Sequence, residues 1–540
     1  MHIVDLSRLS ARVAGQVLTE QAGVAGDATW LMSGDRSVTF GQARENSSRI
    51  AAALRGFGVG RGDVVAVHMD ASVELVQTGI GASELGAMFA PMSTDYHGEF
   101  LHRNLQASTA QVLVADAHLA RNYADLPDLG QVRHLVVIGD ADPASLRRPG
   151  LAVHAWDELL SGGPAPTPPA ARDDDILMMW WSSGTTGAPK GIMQTHAGLM
   201  RSASYWIADR HIREDEVWYS CLPMYLGGAW TTAVWPSLVS GTAVGIDARL
   251  SVSRFWERVR HYRATQIFTL GAMHMFLMQE PERPDDRDNP VRCAVPVPMP
   301  WSDVERFKKR FGIEQVIQAY GQSEVPCRIF SAPDDGTEWR GSAIGRPVPW
   351  LDVRLVDDND EDVPPGQVGE IVVRPKEPFV LFAGYFNAPE VTARTWRNLW
   401  HHTGDLARAD PDGQYFFADR KKDYIRYKGR NISMTEVEAV VTRHPDVADA
   451  AAFGRQSAEL ESESELAVCV VPRSGAQLEP AGLARFINDN APYYFVPRYI
   501  EIAGELPRNA QYKTDKVTLR ARPLTAEVWD RDQAGFEVTR

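Results

Sequence analysis

At 540 residues the chain is longer than one hydrophobic core sustains, so two or more domains are expected. Hydrophobic residues make up 44% and charged residues 23%, as in a soluble globular protein, and 56 basic against 70 acidic side chains leave a formal net charge of −14. That acidity argues against nucleic acid as a partner, since phosphate backbones select basic surfaces, while leaving room for a local basic site.

The first residues, Met1-His2-Ile3-Val4-Asp5, lack the basic stretch and apolar core of a signal peptide, and no run reaches the roughly 18 apolar residues of a membrane span. Cys221, Cys293, Cys327 and Cys469 stand singly without Cys-x-x-Cys spacing, so neither a disulfide framework nor a zinc site follows. A cytoplasmic location is expected. From Thr39 to Gly60 the pattern predicts a helix, with Ile50 and Leu54 on its apolar face and Gly56 and Gly58 closing it. A strand from Val64 to Met69 and a helix from Val73 to Leu85 follow, then short β-rich runs at 112–114 and 135–138. This alternation predicts a mostly parallel α/β layer.

Ser161 to Ala171, with Pro164, Pro166, Pro168 and Pro169, reads as a linker. It delivers the chain to an apolar run, Ile176 to Trp181, whose composition predicts a strand buried on both faces. From its end hangs Ser182-Ser183-Gly184-Thr185-Thr186-Gly187-Ala188-Pro189-Lys190-Gly191. Three glycines let backbone fold close around a ligand, the hydroxyls offer hydrogen bonds and Lys190 adds positive charge, a combination suited to a polyphosphate. The spacing is not that of a Walker A loop, because only two residues separate Gly184 from Gly187 and Pro189 precedes the lysine.

A Pro- and charge-rich interruption is expected from Pro281 to Pro300, and a strand from Gln315 to Ala319. At that strand's end lies Tyr320-Gly321-Gln322-Ser323-Glu324, where a ring can stack on a purine and a carboxylate can hold magnesium. Beyond Asp352 short strands at 352–356, 370–374 and 414–418 predict a small β-rich subdomain. It contains His402-Thr403-Gly404-Asp405, whose carboxylate is of the kind that accepts from ribose hydroxyls. From Lys422 onward the pattern is α+β: a helix near 435–444, a strand at 466–471 and a helix near 478–488. The expected division is residues 1–420 and 421–540.

Read together, these segments resemble the adenylate-forming superfamily, which includes acyl-CoA synthetases, luciferases and peptide-synthetase adenylation domains. The likeness runs from Thr39 to the C-terminus. Near Pro492-Tyr493-Tyr494-Phe495-Val496-Pro497-Arg498 it is similar to the carnitine- and crotonobetaine-CoA ligase branch, and its general likeness extends to bacterial natural-product ligases of the platensimycin diterpenoid type. The resemblance implies a large N-terminal α/β domain of parallel layers with a β-rich subdomain, followed by a mobile α+β lid. It implies ATP or acyl-AMP, Mg2+ and coenzyme A as ligands. By the same resemblance the nucleotide is bound by residues 182–187, that is Ser182, Ser183, Gly184, Thr185, Thr186 and Gly187, with Lys190. Tyr320 stacks on adenine beside Gly321 and Ser323, Glu324 binds the metal, and Asp405 and Arg420 hold the ribose. Lys422 is implied as the hinge, Lys428, Gly429 and Arg430 as the coenzyme A loop, and Lys513 as the lysine bridging substrate carboxylate and α-phosphate. Thr186, Lys190, Glu324 and Lys513 are the catalytic set on this reading. Met224, Trp230 and Met273 are candidates for an apolar acyl pocket, equally readable as core, and suggest a bulky hydrophobic acid.

Three departures bear on adenylation. Tyr512 replaces the glycine that usually precedes the catalytic lysine, Leu226 stands where many members carry histidine, and Val295-Pro296-Val297-Pro298 replaces a small Gly-Ala loop. The resemblance implies a two-step acyl-CoA synthetase. The departures raise an alternative, a ligase performing only transfer from an acyl-adenylate made by a separate adenylating enzyme. A second alternative is a stand-alone enzyme loading a carrier protein.

Overall fold

The computed structural model describes residues 2–10, 12–140, 146–163, 171–182, 190–270, 273–421, 425–427, 430–432, 434–456, 464–491, 493–509, 513–525 and 527–538, with backbone alone at 182, 425–427, 430–431, 456 and 464. The chain divides into two compact units, residues 1–353 with 373–401, and residues 354–372 with 402–540. Among the described residues no helix is long and apolar enough to cross a membrane.

The first unit holds two large sheets. One has eight strands in the order Gly384–Tyr385, Lys190–Thr195, Ile176–Ser182, Met88–Pro91, Val64–His68, Val112–Asp116, His134–Ile138, Ala152–Ala155. Its last six strands run parallel, and the first two are added at the edge, each through an antiparallel pairing with its neighbour. Parallel strands are covered on both faces, and the sequence shows it: Val65 and Val67 enter one apolar cluster while Val64 and Ala66 enter another on the opposite face. The second sheet has seven strands in the order Gln315–Val316, Cys293–Val297, Gln266–Leu270, Val217–Ser220, Ala243–Ile246, Thr29–Ser33, Arg36–Thr39. One continuous cluster contains Val65 and Leu177 of the first sheet, Trp218 and Val244 of the second, and Leu54, Ile80 and Trp235 from helices.

The helix expected from Thr39 runs from Phe40 to Gly56, and Thr39 is its cap. The Thr39 hydroxyl accepts the Gln42 amide at 3.2 Å and the Gln42 side chain accepts the Thr39 amide at 3.0 Å, a reciprocal box that satisfies two otherwise orphaned donors. The second helix spans Val73–Glu84, capped by Ser72.

Two expectations are corrected. Within the predicted interruption at 281–300, Cys293–Val297 is a strand, parallel to Gln266–Leu270 throughout. Proline is tolerated there because the other neighbour, Gln315–Val316, pairs only with Cys293 and Ala294, leaving Pro296 on an open edge that needs no donor. The strand expected at 315–319 is split: Gln315–Val316 ends the parallel sheet, while Gln318–Gln322 begins an antiparallel hairpin with Val325–Ala332, so Tyr320 and Gly321 sit inside a strand.

From His402 onward the second unit contains the antiparallel ribbon that strand His401–Ala409 forms with Tyr415–Arg420. It also contains a four-stranded sheet, Val447–Gln456, Ser464–Pro472, Tyr499–Ile502 and Trp529–Asp530. Helices Met434–Val441 and Pro480–Asn490 contribute Val437, Val441, Leu483 and Ile487 to the core of that sheet. These are the α+β elements expected after Lys422.

Candidate active site

Ile176–Ser182 and Lys190–Thr195 form a hairpin whose ladder ends with Ser182 opposite Lys190. Leu177 through Trp181 are all buried. Ser183, Gly184, Thr185, Thr186 and Gly187, expected to bind phosphate, fall in 183–189, outside the described residues, and of Ser182 the backbone is described. Glycine is required at Gly191, where a Cβ would lie 2.5 Å from the Met179 sulfur and 3.1 Å from the Phe386 Cβ.

Lys190 and Glu324 meet at one aromatic ring. Gly384–Tyr385 pairs with the hairpin, Tyr385 opposite Ile192, so Lys190, two residues earlier, projects from the same face and can reach the ring diagonally. The Lys190 Nζ lies 5.7 Å from the Tyr385 ring centroid, and the Tyr385 hydroxyl donates to Glu324 Oε1 at 2.7 Å. The Glu324 carbonyl accepts the Phe382 amide at 2.9 Å, and the preceding Ser323 carbonyl accepts Gln194 Nε2 at 2.5 Å. Burial first, and the neighbouring carboxylate second, raise the Tyr385 phenol well above its usual range, so it stays a donor. Tyr385 was not singled out from sequence; its signal is the Gly-Tyr pair shortly before Pro389, which opens a helix. Hard, half-buried carboxylate oxygen at Glu324, oriented by a hydroxyl, fits Mg2+.

Tyr320, half-buried, packs its ring 5.8 Å from that of Phe330. Gly321 is exposed, and a Cβ there would come within 3.0 Å of the Arg328 Cα, which keeps this position a glycine. The next residue, Gln322, accepts from the buried His401 Nε2 at 2.9 Å.

In the second unit the ladder sets Asp405 opposite Arg420, whose Nε is 3.6 Å from Asp405 Oδ1. Gly404, before it in the same strand, has φ of +69°, a conformation that favours glycine. Glu370 fastens this stretch: its Oε1 accepts the Gly404 amide at 3.1 Å and its Oε2 the Lys421 ammonium at 3.0 Å. Asp405 itself donates its amide to Thr403 Oγ1 at 3.1 Å. A carboxylate and a guanidinium set side by side can bind vicinal hydroxyls.

Lys513 is exposed; its amide donates to Asn509 Oδ1 at 3.1 Å and its carbonyl accepts the Asn509 amide at 2.8 Å. Tyr512, Lys422, Lys428 and Gly429 lie outside the described residues, and Arg430 is a backbone partner of Tyr427 in a short hairpin. The acyl-pocket candidates share one apolar cluster. Trp230 is fully enclosed, donating its indole N–H to the Met224 carbonyl at 2.7 Å, with its ring edge-on to Phe89. Met224 is buried too, and Met273 is half-buried. Of the departures, Val295 is buried in its strand and Leu226 directly precedes the turn Gly227–Ala229. A Cβ at Gly227 would press on the Trp180 ring at 2.9 Å.

Residues 18–386 match the family described as AMP-binding enzyme, and residues 436–513 match the AMP-binding enzyme C-terminal domain. The crotonobetaine/carnitine–CoA ligase of Salmonella typhimurium (strain LT2) is 28% identical over 524 residues, covering 94% of this chain and 98% of that protein. Among solved structures, the anthranilate CoA ligase AuaEII in complex with anthranoyl-AMP superposes with a TM-score of 0.82 at 23% identity, over 96% of this chain and 98% of that one. A benzoate CoA ligase from Burkholderia xenovorans LB400 gives 0.81 at 25%, over 94% and 99%. The fold and its order of domains are therefore shared along nearly the full length.

Proposed function

Because this chain belongs to the AMP-binding enzyme family, we propose that it is an acyl-CoA ligase that activates a carboxylic acid as its acyl-adenylate and transfers the acyl group to coenzyme A. The observation that carries this reading is the meeting of Lys190 and Glu324 at the Tyr385 ring, a cation and a carboxylate fixed at the rim of a buried sheet. In the first half-reaction a carboxylate oxygen of the acid attacks the α-phosphorus of ATP, and the bond to the bridging oxygen breaks to release pyrophosphate. Lys190 and the hydroxyls of the 183–189 loop bind and orient the phosphates, and Lys513 balances charge on the attacked phosphate. When bound, Mg2+ supplies charge neutralisation on the phosphate oxygens, with Glu324 as the residue that holds it. Asp405 and Arg420 hold the ribose, and Tyr320 lies against the adenine. In the second half-reaction the thiolate of coenzyme A attacks the acyl carbonyl and AMP leaves with the electron pair, while Gly429 gives the thiol arm room beside backbone.

Residues 421–540 act as the lid on this reading, with Lys422 as pivot, a position inside the second compact unit after its ribbon. Both half-reactions are assigned to this one chain; a separate adenylating enzyme and a carrier-protein acceptor are not favoured. The acid is proposed to be hydrophobic, Met273 being the candidate that keeps surface beside the buried Met224 and Trp230. The test is a panel of carboxylates offered with ATP, Mg2+ and coenzyme A, and in parallel as synthetic acyl-adenylates with coenzyme A. AMP and a CoA thioester are expected from both mixtures for at least one acid. Thioester from the adenylates alone would remove the first half-reaction, and none from either would overturn the proposal.

A further inference from the structure

We infer that Tyr385 is a positioning residue for the adenylation half-reaction, locking the Glu324 carboxylate and the Lys190 ammonium into one preset arrangement through its hydroxyl and its ring. The inference rests on the reading of Glu324 as the holder of Mg2+.

The backbone around Tyr385 is fixed before its side chain does anything. The Ala383 amide donates to the Met193 carbonyl at 2.8 Å and the Phe386 amide to the Gly191 carbonyl at 2.7 Å, so the segment is sewn to the strand that starts with Lys190. The Tyr385 amide donates to Thr392 Oγ1 at 2.9 Å. Gly384 has φ of +137°, and Thr392 lies 3.1 Å from where its Cβ would be, so this turn leaves little freedom.

From this base the segment grips Glu324 twice. The Phe382 amide takes its backbone carbonyl at 2.9 Å, and the Tyr385 hydroxyl takes Oε1 of its side chain at 2.7 Å. With one carboxylate oxygen committed to the phenol, rotation of the carboxyl group is restrained and its remaining lone pairs keep a fixed direction. The face of the same ring meets the Lys190 ammonium, and Phe382 packs against it at a steep angle, 5.0 Å away between centroids. A tyrosine serves better than phenylalanine or glutamine here, because it offers a π face to a cation and a donor to a carboxylate at once.

The test compares Tyr385→Phe, which keeps the ring and loses the hydroxyl, with Glu324→Gln and the unaltered full chain. Mn2+ is titrated against protein and ATP by electron paramagnetic resonance, and ATP alone is titrated calorimetrically in the presence of a chelator. Tyr385→Phe is expected to weaken Mn2+ binding about tenfold, the loss typical of removing a group that orients a metal ligand, with metal-free ATP binding unchanged. Pyrophosphate exchange should need about tenfold more Mg2+ for half its maximal rate, while transfer from preformed acyl-adenylate to coenzyme A keeps its rate. Unchanged thermal melting of the free variant separates this from unfolding, and Tyr385→Leu, which also removes the ring face, should weaken metal-free ATP binding as well. Wild-type Mn2+ binding by Tyr385→Phe alongside loss in Glu324→Gln overturns the role of Tyr385. Wild-type binding by both variants removes the metal-holding role of Glu324, and the inference falls with it.

Discussion

Asp405 is buried, held by its own ladder and by the hydroxyl of Thr403, and its charge is set beside the Arg420 guanidinium. Asp405→Asn keeps the shape and removes the charge. If the carboxylate receives ribose hydroxyls, ATP affinity measured by calorimetry should fall about tenfold or more, since hydrogen bonds to a charged partner are worth roughly 1.5–3 kcal/mol. Two histidines set a different dependence. Burial pushes the His196 imidazole down to about 3 and the His68 imidazole down to about 4. His196 Nδ1 accepts the Ala14 amide at 3.2 Å, so the neutral ring is the one the fold uses. Both native values lie below the unfolded value of about 6.5. Their contribution is therefore fully present above pH 6.5 and is lost as pH falls toward the native values. Between pH 6 and 4.5 each histidine should contribute a loss of at most about 1.4 kcal/mol per pH unit, and in urea unfolding followed by tryptophan fluorescence His196→Gln should remove its share of the slope relative to the unaltered chain.

At the scale of elements, helix His196–Arg210 follows directly on the Lys190 strand. Its cap is Thr195, the last residue of the Lys190 strand, whose hydroxyl accepts the Gly198 amide at 3.1 Å. Thr195→Ala is expected to cost about 1 kcal/mol in chemical denaturation, the usual loss of a side-chain cap. Gly198 tolerates still less, because a Cβ there would collide with the carbonyl of Phe379, in the stretch leading to Tyr385. This helix was not singled out in the sequence, whereas the continuous apolar strand at 176–181 and the helix after Thr39, with Ile50 and Leu54 on its apolar face, were, because those signals are local. The residue types and spacing around Lys190, Tyr320, Glu324 and Asp405 were readable for the same reason. What escaped were consequences of pairing between distant segments. Tyr385 lies 61 residues from Glu324, and its partnership exists only because Gly384–Tyr385 is laid on the Lys190 strand. Cys293–Val297 looked like an interruption because proline is a poor strand former in general, whereas the open edge at Pro296 removes that objection locally.

For the whole molecule, length alone called for more than one folded unit, the chain divides into two, and the family match at residues 18–386 and 436–513 covers the greater part of the length. Our assignment of two half-reactions to one chain makes the pivot testable. Lys422→Pro fixes φ at that position, so the residue can no longer absorb a rotation. Pyrophosphate exchange is expected to stay within about threefold of the unaltered chain, while thioester formation from acyl-adenylate falls about tenfold or more, a rise of about 1.4 kcal/mol in that barrier. Equal losses in both assays would refute the pivot.

The edge hairpin carries one last implication. Ile176–Ser182 lies between Met88–Pro91 and Lys190–Thr195, bonded on both sides and shielded from solvent, so its amides belong among the last in the protein to take up deuterium.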